Sequence, residues 1–194
     1  MQSMKRIADI IISFFFVLLL SPLLLLLSLI ILIADGKPIL YKQKRIGKNE
    51  KLFTIYKFRT MKNGTRLAAS GDLTEAEAQI ISGGKLLRRL SLDELPQLFN
   101  ILKGDMSLIG PRPLIPEETE IHELRKKYGV YRVRPGLTGL AQVNGRDRLG
   151  AEEKALLDKK YVENCGLATD LGILLKTVRK VLGMSDVIEG GDGR

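Results

Sequence analysis

The stretch IIISFFFVLLLSPLLLLLSLIILIA, residues 10–34, carries no charged residue across 25 positions. A straight helix rises about 1.5 Å per residue, so this segment is long enough to cross the roughly 30 Å hydrocarbon layer of a membrane. It exceeds the apolar core of a signal peptide, and no small-residue cleavage pattern follows it at Asp35-Gly36. The segment therefore predicts a membrane-embedded helix rather than a cleaved leader.

Ser21-Pro22 interrupts this segment near its middle. Proline lacks a backbone donor and clashes with the carbonyl four residues earlier, so it kinks a helix, and the Ser21 hydroxyl is placed to satisfy a backbone group near the bend. Lys5 and Arg6 precede the segment, and further lysines and arginines follow it. Cationic flanks prefer the cytoplasmic side. A kinked single span and a re-entrant helix-break-helix both fit, and two cationic flanks favour the re-entrant form.

The chain as a whole is strongly basic. Its 31 lysines and arginines against 22 aspartates and glutamates give a net charge of +9, which suits nucleic acid, an anionic membrane surface or phosphorylated substrates. His122 is the one histidine and Cys165 the one cysteine. An intramolecular disulfide and a zinc site rich in histidine or cysteine are therefore excluded. Catalysis would rest on carboxylates, lysines, arginines and a metal held by oxygen atoms.

Beyond the apolar segment, the pattern predicts an α/β fold that is mainly helical, with a small β-hairpin and short strands. Alternating apolar and basic residues indicate strands over residues 39–43 and 52–58, joined by a turn at Gly47-Lys48-Asn49. A short strand is expected over residues 137–143 and a polar loop over 63–72. The predicted helices cover residues 73–81, 85–90, 94–103, 116–128, 152–163 and 170–182.

Two of these helices carry apolar stripes. Helical spacing predicts that the helix over 94–103 buries one face, made of Leu95, Leu98, Phe99 and Leu102. The last helix places apolar residues on one side: Leu171, Leu174, Leu175, Val178 and Leu182. That second stripe either packs on the core or lies in the lipid interface, and the residues alone leave both interpretations open.

Two adjacent carboxylates, Asp93 and Glu94, stand before Leu95-Pro96 in the stretch SLDELPQLFNILKGDMSLIGPRP, residues 91–113. Pro96 is tolerated in the first turn of a helix, so a helix is expected to begin near this pair. One interpretation is structural, with Asp93 as N-cap and Ser91-x-x-Glu94 as a capping box. The other is chemical, because two carboxylates can hold Mg²⁺ together with substrate phosphates, and a carboxylate can attack phosphorus.

Arg112 lies between Pro111 and Pro113, which restrict its backbone. A guanidinium pairs bidentately with phosphate, although a solvated surface arginine is the alternative. Other basic residues lie on both sides of it in sequence: Lys57, Arg59, Arg88 and Arg89 upstream, and Arg134, Arg146 and Arg148 downstream among glycines. Glycines let backbone approach a ligand closely, so this region is a candidate anion site without a Walker loop.

Four features together make the chain resemble a known family. They are the Ser21-Pro22 break, IYKFRTM over residues 55–61, LRRLSLDELPQLFNILKGDMSLIGPRP over 87–113, and VRPGLTGLAQVNGR over 133–146. In this order they resemble the bacterial sugar transferase family, the monotopic phosphoglycosyl transferases that act on polyprenyl phosphate. The chain is similar to the minimal catalytic-domain form of that family.

The resemblance implies the chemistry. A sugar-1-phosphate passes from a nucleoside diphosphate sugar, usually a UDP-sugar, to polyprenyl phosphate such as undecaprenyl phosphate, and UMP is released. It implies Mg²⁺ as cofactor, Asp93 as nucleophile, and Glu94 with Asp93 as metal ligands. The implied phosphate- and nucleotide-binding residues are Lys57, Arg59, Arg88, Pro111, Arg112, Pro113, Gln142, Asn144 and Arg146. Asp158 matches a further family position whose role the sequence does not reveal.

The resemblance also implies a location and partners. It predicts a re-entrant helix over residues 1–36, a catalytic domain over 37–182 and a flexible tail over 183–194, with both termini and the catalytic domain on the cytoplasmic face of the bacterial inner membrane. Expected partners are polyprenyl phosphate, the UDP-sugar, the phospholipid membrane and a second copy in a homodimer, with no nucleic acid. Two alternatives stay open: a membrane-anchored basic protein that binds nucleic acid or anionic lipid, and direct transfer without a covalent step.

Overall fold

The computed structural model describes residues 2–62, 79–145 and 148–183. The fold is mostly helical with short strands, as predicted. The helices are α1 Gln2–Leu19, α2 Ser21–Asp35, α3 Gly84–Arg89, α4 Gln97–Lys103, α5 Thr119–Lys127, α6 Leu140–Val143, α7 Ala151–Glu163 and α8 Leu167–Gly183. The strands are β1 Leu40–Ile46, β2 Leu52–Phe58, β3 Ser107–Ile109 and β4 Gly136–Thr138.

The apolar segment forms α1 and α2, which are bent by 61° at the predicted break. Pro22 lies in the first turn of α2 and cannot donate to the carbonyl of Leu18, four residues earlier. The Ser21 hydroxyl donates to that same carbonyl at 2.8 Å, so its predicted role at the bend is confirmed. Within the described chain no single helix is long and apolar enough to cross a membrane, whereas the bent pair together is, by length and composition.

Polar contacts fasten α1 to the rest of the molecule. The Arg6 guanidinium donates to the carbonyls of Ile101 (2.6 Å) and Leu102 (2.9 Å) at the C-terminal end of α4. The carboxylate of Asp9, which is buried, accepts from the backbone N–H of Leu108 at 3.1 Å. A cation at the C-terminal end of a helix satisfies unpaired carbonyls and complements the helix dipole. The apolar segment is therefore held against α4 and β3.

The predicted hairpin is confirmed. Strands β1 and β2 pair antiparallel from Leu40 opposite Phe58 to Ile46 opposite Leu52, so β1 continues three residues beyond the predicted residue 43. Asn100 of α4 binds the outer edge of β2, because its Nδ2 donates to the carbonyl of Thr54 at 2.7 Å. Its Oδ1 accepts from the backbone N–H of Tyr56 at 3.1 Å. This buried amide sets the distance between α4 and the hairpin.

Helix α4 differs from its prediction in both its start and its buried face. It begins at Gln97, three residues later than residue 94, after a 3₁₀ turn over Leu92–Glu94. The buried residues are Gln97, Leu98, Asn100 and Ile101, whereas the Phe99 side chain is 47% exposed. The later start and the Asn100 contacts turn Phe99 outward, so the predicted apolar face is wrong at Phe99. Leu98 is buried and Leu95 is partly buried against the core, as predicted, whereas Leu102 is only partly buried.

The predicted strand over residues 137–143 is also wrong in its second half. β4 ends at Thr138 and pairs parallel with β3, while Leu140–Val143 forms helix α6. A Cβ added at Gly136 would lie 2.1 Å from the backbone nitrogen of Gly110, and one at Gly139 would lie 2.1 Å from the carbonyl oxygen of Gly110. Only glycine permits this approach of two backbones, and the chain turns away immediately after it.

Helices α7 and α8 pack against β3, where Ile109, Tyr161 and Ile173 lie in one core cluster. Helix α5 starts at Thr119, three residues after the predicted residue 116, and α7 matches its prediction to within one residue. The helix predicted over 73–81 lies mostly outside the described residues, and its end is not helical, because Ile80 pairs with Met61 in an isolated bridge. The loop predicted over 63–72 and the tail beyond Gly183 also lie outside them.

Helix α8 settles one of the open alternatives. Ile173 is its buried apolar residue, whereas the predicted stripe is exposed at Leu171, Leu174, Leu175 and Val178. The side chain of Leu182 lies outside the described part. The interpretation in which this stripe packs on the core is therefore wrong.

Candidate active site

The two carboxylates lie on the 3₁₀ turn Leu92–Glu94, in front of α4 rather than on it. Ser91 precedes the turn with φ of 54°, in the left-handed region, and its hydroxyl makes no capping hydrogen bond with any described residue. The N-cap position of α4 is Pro96. The capping interpretation of Asp93 and Glu94 is therefore wrong, and their position calls for another explanation.

The electrostatics of the pair are those of a site that favours a cation. The Nζ of Lys57 lies 2.7 Å from the Oε1 of Glu94, and both side chains are less than a fifth exposed. Burial raises the pKa of Asp93, the charge of Glu94 raises it further, and Lys57 and Arg88 offset part of that rise. Because the two negative charges repel each other, a divalent cation held by them and a substrate phosphate would be stabilised.

Glu94 and Arg112 lie in one cleft, although 18 residues separate them in sequence. This candidate catalytic cleft is narrow, about 10 Å³ in volume, and is lined by Arg45 and Lys57 from the hairpin, Glu94, Arg112 and Gln142. Asp93 precedes Glu94 on the same turn and is not among the residues that line the cleft. Burial lowers the pKa of Arg45, and the nearby positive charge of Arg112 lowers it further. Two guanidinium groups held together at a cleft favour a polyanion between them.

Arg45 was missed by sequence reasoning. One terminal nitrogen, Nη1, donates to the carbonyl of Pro113 at 3.0 Å, and Nη2 donates to Oε1 of Gln43 at 2.6 Å. Its Nε is buried and finds no partner in the described part of the chain. In the sequence Arg45 is one of several basic residues in an alternating strand, so no local signal separates it from its solvated neighbours.

The backbone of the Pro-Arg-Pro segment is held at each residue. The carbonyl of Pro111 accepts from the backbone N–H of Gly136 at 2.9 Å, and that of Pro113 accepts from Arg45. The carbonyl of Arg112 accepts from Nη1 of Arg125 at 2.7 Å. With fixed proline φ angles on either side, these bonds orient Arg112 before any ligand arrives.

Asp158 is connected to the Pro-Arg-Pro segment through Arg125. The guanidinium and carboxylate are 4% and 1% exposed, and they are joined by contacts of 2.8 Å from Nε and 2.5 Å from Nη2 to the Oδ2 of Asp158. Burial raises the pKa of Asp158, and Arg125 offsets part of that rise. Asp158 is therefore linked to the backbone of Arg112 through Arg125, and its role in the reaction stays a prediction. Sequence reasoning missed Arg125 because it lies in a run of charged residues, and nothing in that run indicates that this side chain is buried.

Arg59 and Arg88 are both engaged by other residues, and Arg88 lies near Asp93. The buried guanidinium of Arg59 lies 2.6 Å from the Oδ2 of Asp35 and donates to the carbonyls of Asp35 and Gly36, so it fastens the end of α2 to the hairpin. The Nε of Arg88 donates to the Thr60 hydroxyl at 2.8 Å. Their roles as phosphate ligands stay predictions.

The remaining predicted residues separate into three cases. Gln142 lines the cleft, and its Nε2 donates to the carbonyl of Leu137 at 3.1 Å. Asn144 is exposed and donates to the carbonyl of Leu140 at 2.7 Å. Arg146 lies outside the described residues.

Comparison with known proteins decides the family. A family model described as "Bacterial sugar transferase" matches residues 1–184. The chain belongs to the bacterial sugar transferase family. This transferase is 42% identical over 179 residues to the "Uncharacterized sugar transferase EpsL" of Bacillus subtilis, covering 92% of this chain and 87% of that protein. Membership of a transferase family favours the enzyme interpretation over a binding protein.

Two longer relatives carry more informative names. The transferase is 40% identical over 163 residues to the "Undecaprenyl-phosphate galactose phosphotransferase" of Salmonella typhimurium, covering 76% of this chain and 34% of that protein. It is 37% identical over 191 residues to the "UDP-N-acetylgalactosamine-undecaprenyl-phosphate N-acetylgalactosaminephosphotransferase" of Aeromonas hydrophila, covering 92% of this chain and 44% of that protein. The transferase thus spans less than half the length of these two relatives.

Proposed function

We propose that this transferase moves a sugar-1-phosphate from a UDP-sugar to a polyprenyl phosphate, with undecaprenyl phosphate as the acceptor, and releases UMP. The observation that carries the proposal is the catalytic cleft, in which Glu94 shares one cavity with Lys57, Arg45 and Arg112. A carboxylate beside paired guanidiniums fits a reaction at a diphosphate, and Asp93 adjoins that carboxylate on the same turn. The names of the Salmonella and Aeromonas relatives supply the acceptor and the class of donor.

The reaction is proposed to run through a covalent intermediate on Asp93. A carboxylate oxygen of Asp93 attacks the β-phosphorus, the bond from that phosphorus to the bridging oxygen breaks, and UMP leaves with the electron pair. An oxygen of the acceptor phosphate then attacks the same phosphorus and releases the Asp93 carboxylate. Arg45 and Arg112 bind the non-bridging oxygens throughout, and Lys57 orients Glu94 through their ion pair.

Magnesium fits the residues present. The described residues contain no group of three or more His, Cys, Asp or Glu side chains that could hold a metal alone. Mg²⁺ in phosphate sites usually takes one or two carboxylates and completes its shell with substrate oxygens and water, which matches Asp93 and Glu94. When bound it would neutralise diphosphate charge, so that a carboxylate can approach phosphorus.

A re-entrant topology is proposed for the apolar segment. The 61° bend between α1 and α2, with basic residues before and after the pair, supports entry and exit on the cytoplasmic face of the inner membrane. The exposed leucines of α8 lie beside Lys176, Arg179 and Lys180, a combination that suits the interface of an anionic bilayer. This arrangement would present the catalytic cleft to a lipid-linked acceptor.

Mass spectrometry of the intact protein tests the covalent step. After incubation with UDP-galactose, UDP-glucose or UDP-N-acetylgalactosamine and Mg²⁺, but without acceptor, the native protein is expected to gain one sugar-phosphate mass. Asp93→Asn is expected to gain none and to release no UMP when undecaprenyl phosphate is added. Steady turnover by Asp93→Asn, or an adduct on another residue, would favour direct transfer or a different nucleophile.

A further inference from the structure

A second cavity adjoins the catalytic cleft on the far side of Arg112. It has a volume of about 410 Å³ and lies between the starts of α5 and α7 and helix α6. Arg112 and Gln142 line both cavities, so they form the wall between them. Its size falls within the range of small-molecule sites, roughly 300–1,000 Å³.

The order of groups across this wall restricts what the second cavity can hold. Glu94 lines the catalytic cleft and is absent from the described lining of the second cavity, which begins at Arg112. In phosphoryl transfer the attacking and leaving oxygens lie roughly in line with phosphorus. If the attacker comes from the side of the dyad, the leaving group lies on the opposite side, beyond the arginines. The leaving group of the proposed reaction is a nucleoside monophosphate.

We infer that the second cavity binds the nucleoside of the sugar nucleotide, with its phosphates held by Arg45 and Arg112. This inference rests on the proposed function, because it takes the leaving group from that reaction. It assigns the nucleoside to a cavity that shares Arg112 and Gln142, two of the expected nucleotide-binding residues, with the cleft.

The lining of the second cavity suits a nucleoside. Leu114, Ile121 and Ala141 are buried apolar residues that can contact the face of a planar base. Glu117 and Glu120 are exposed carboxylates at the rim. Carboxylates repel phosphates, but they accept hydrogen bonds from ribose hydroxyls, as acidic residues do in dinucleotide-binding folds. Lys154 and Arg125, whose guanidinium is paired with Asp158, also line the cavity, so its rim carries both signs of charge and the apolar wall is what suits a base.

A blocking variant with two probes tests the assignment. Ala151 lies at the start of α7 and lines the cavity, so Ala151→Phe would fill it, whereas Leu156→Phe changes a 45% exposed side chain of the same helix outside this lining. Equilibrium dialysis of full-length protein in nanodiscs would measure UMP and pyrophosphate binding. Ala151→Phe is expected to weaken the binding of UMP at least tenfold and that of pyrophosphate less than twofold. Leu156→Phe is expected to leave both affinities unchanged.

Three results would overturn the assignment. UMP affinity that is unchanged in Ala151→Phe excludes the nucleoside from this cavity. If UMP affinity is unchanged in Ala151→Phe but its preference among UDP-sugars differs from that of the native protein, the cavity holds the sugar instead. Equal weakening of UMP and pyrophosphate shows that the effect lies in the cleft rather than in the cavity.

A charge-only variant supplies a second measurement that does not depend on filling the cavity. Glu117→Gln with Glu120→Gln is expected to weaken UMP several-fold while leaving 2′,3′-dideoxyuridine monophosphate unchanged, because that probe lacks the ribose hydroxyls. Glu123→Gln, an exposed glutamate of α5 outside this lining, is the control. Equal effects on both nucleotides would contradict ribose contact. Failure of the native protein to release UMP from any UDP-sugar would reject the proposed function, whereas the dialysis result would still stand.

Discussion

At the scale of single residues, Arg112 combines a fixed backbone with a position on the wall between two cavities. A lysine at this position keeps the charge but loses the planar fork that grips phosphate. Such a loss costs about 1.5–3 kcal/mol, or roughly ten- to a hundredfold in kcat/KM. Steady-state UMP release by Arg112→Lys checks this, with Arg179→Lys on α8 as control. Near-native kinetics of a folded Arg112→Lys protein would make Arg112 an ordinary surface arginine.

The ionised Asp93 carboxylate, which is the form proposed to react, is expected to lower the stability of the folded protein. Burial raises its pKa in the folded state, so the ionised form is disfavoured by folding. The resulting loss of stability is fully present above the folded pKa and disappears as pH falls below the unfolded value. Asp93→Asn in EDTA at neutral pH should therefore have a Tm equal to or above that of the native protein. A clear fall in Tm would show that the carboxylate stabilises the turn after all.

At the scale of elements, the bend between α1 and α2 depends on a missing donor at Pro22 and a hydroxyl at Ser21. Replacing both residues with alanine restores the backbone donor, so the pair is expected to straighten into one spanning helix. In spheroplasts expressing a Cys165→Ser protein, a cysteine at Gln2 should then react with an impermeant thiol reagent. The same cysteine with the native break should stay unlabelled. Labelling from outside with Ser21 and Pro22 intact would refute the re-entrant topology.

At the scale of the whole molecule, the ion pair between Arg125 and Asp158 connects α5, α7 and the Pro-Arg-Pro segment. Removing one member leaves a buried unpaired charge, which typically costs about 3–5 kcal/mol, whereas replacing both with apolar residues is often close to neutral. Asp158→Leu should therefore lower Tm sharply, and Arg125→Met with Asp158→Leu should recover it. The double variant should still show a raised KM for the UDP-sugar, because the Arg112 carbonyl has lost its donor. Recovery of both Tm and KM would mean that the pair serves stability alone.

Features that depend on interactions between residues close together in the chain could be predicted from the sequence. The break at Ser21-Pro22, the hairpin and helices α7 and α8 were predicted, because a missing proline donor, strand alternation and helical spacing act within a few residues. The adjacent carboxylates and the restrained Arg112 were identified as candidates for the same reason, since their chemistry is visible without a fold. The motifs in their order were enough to predict the family.

Only the tertiary structure decided what surrounds those candidates. The face that α4 buries depends on Asn100 binding the edge of β2, and the end of β4 depends on the close approach of Gly110 and Gly139. Arg45 and Arg125 join the site from the hairpin and from α5. Each of these contacts joins residues far apart in the chain, so no local pattern encodes it. The second cavity exists for the same reason, because its walls come from the segment after Arg112, from α6 and from the starts of α5 and α7, which meet only when the chain has folded.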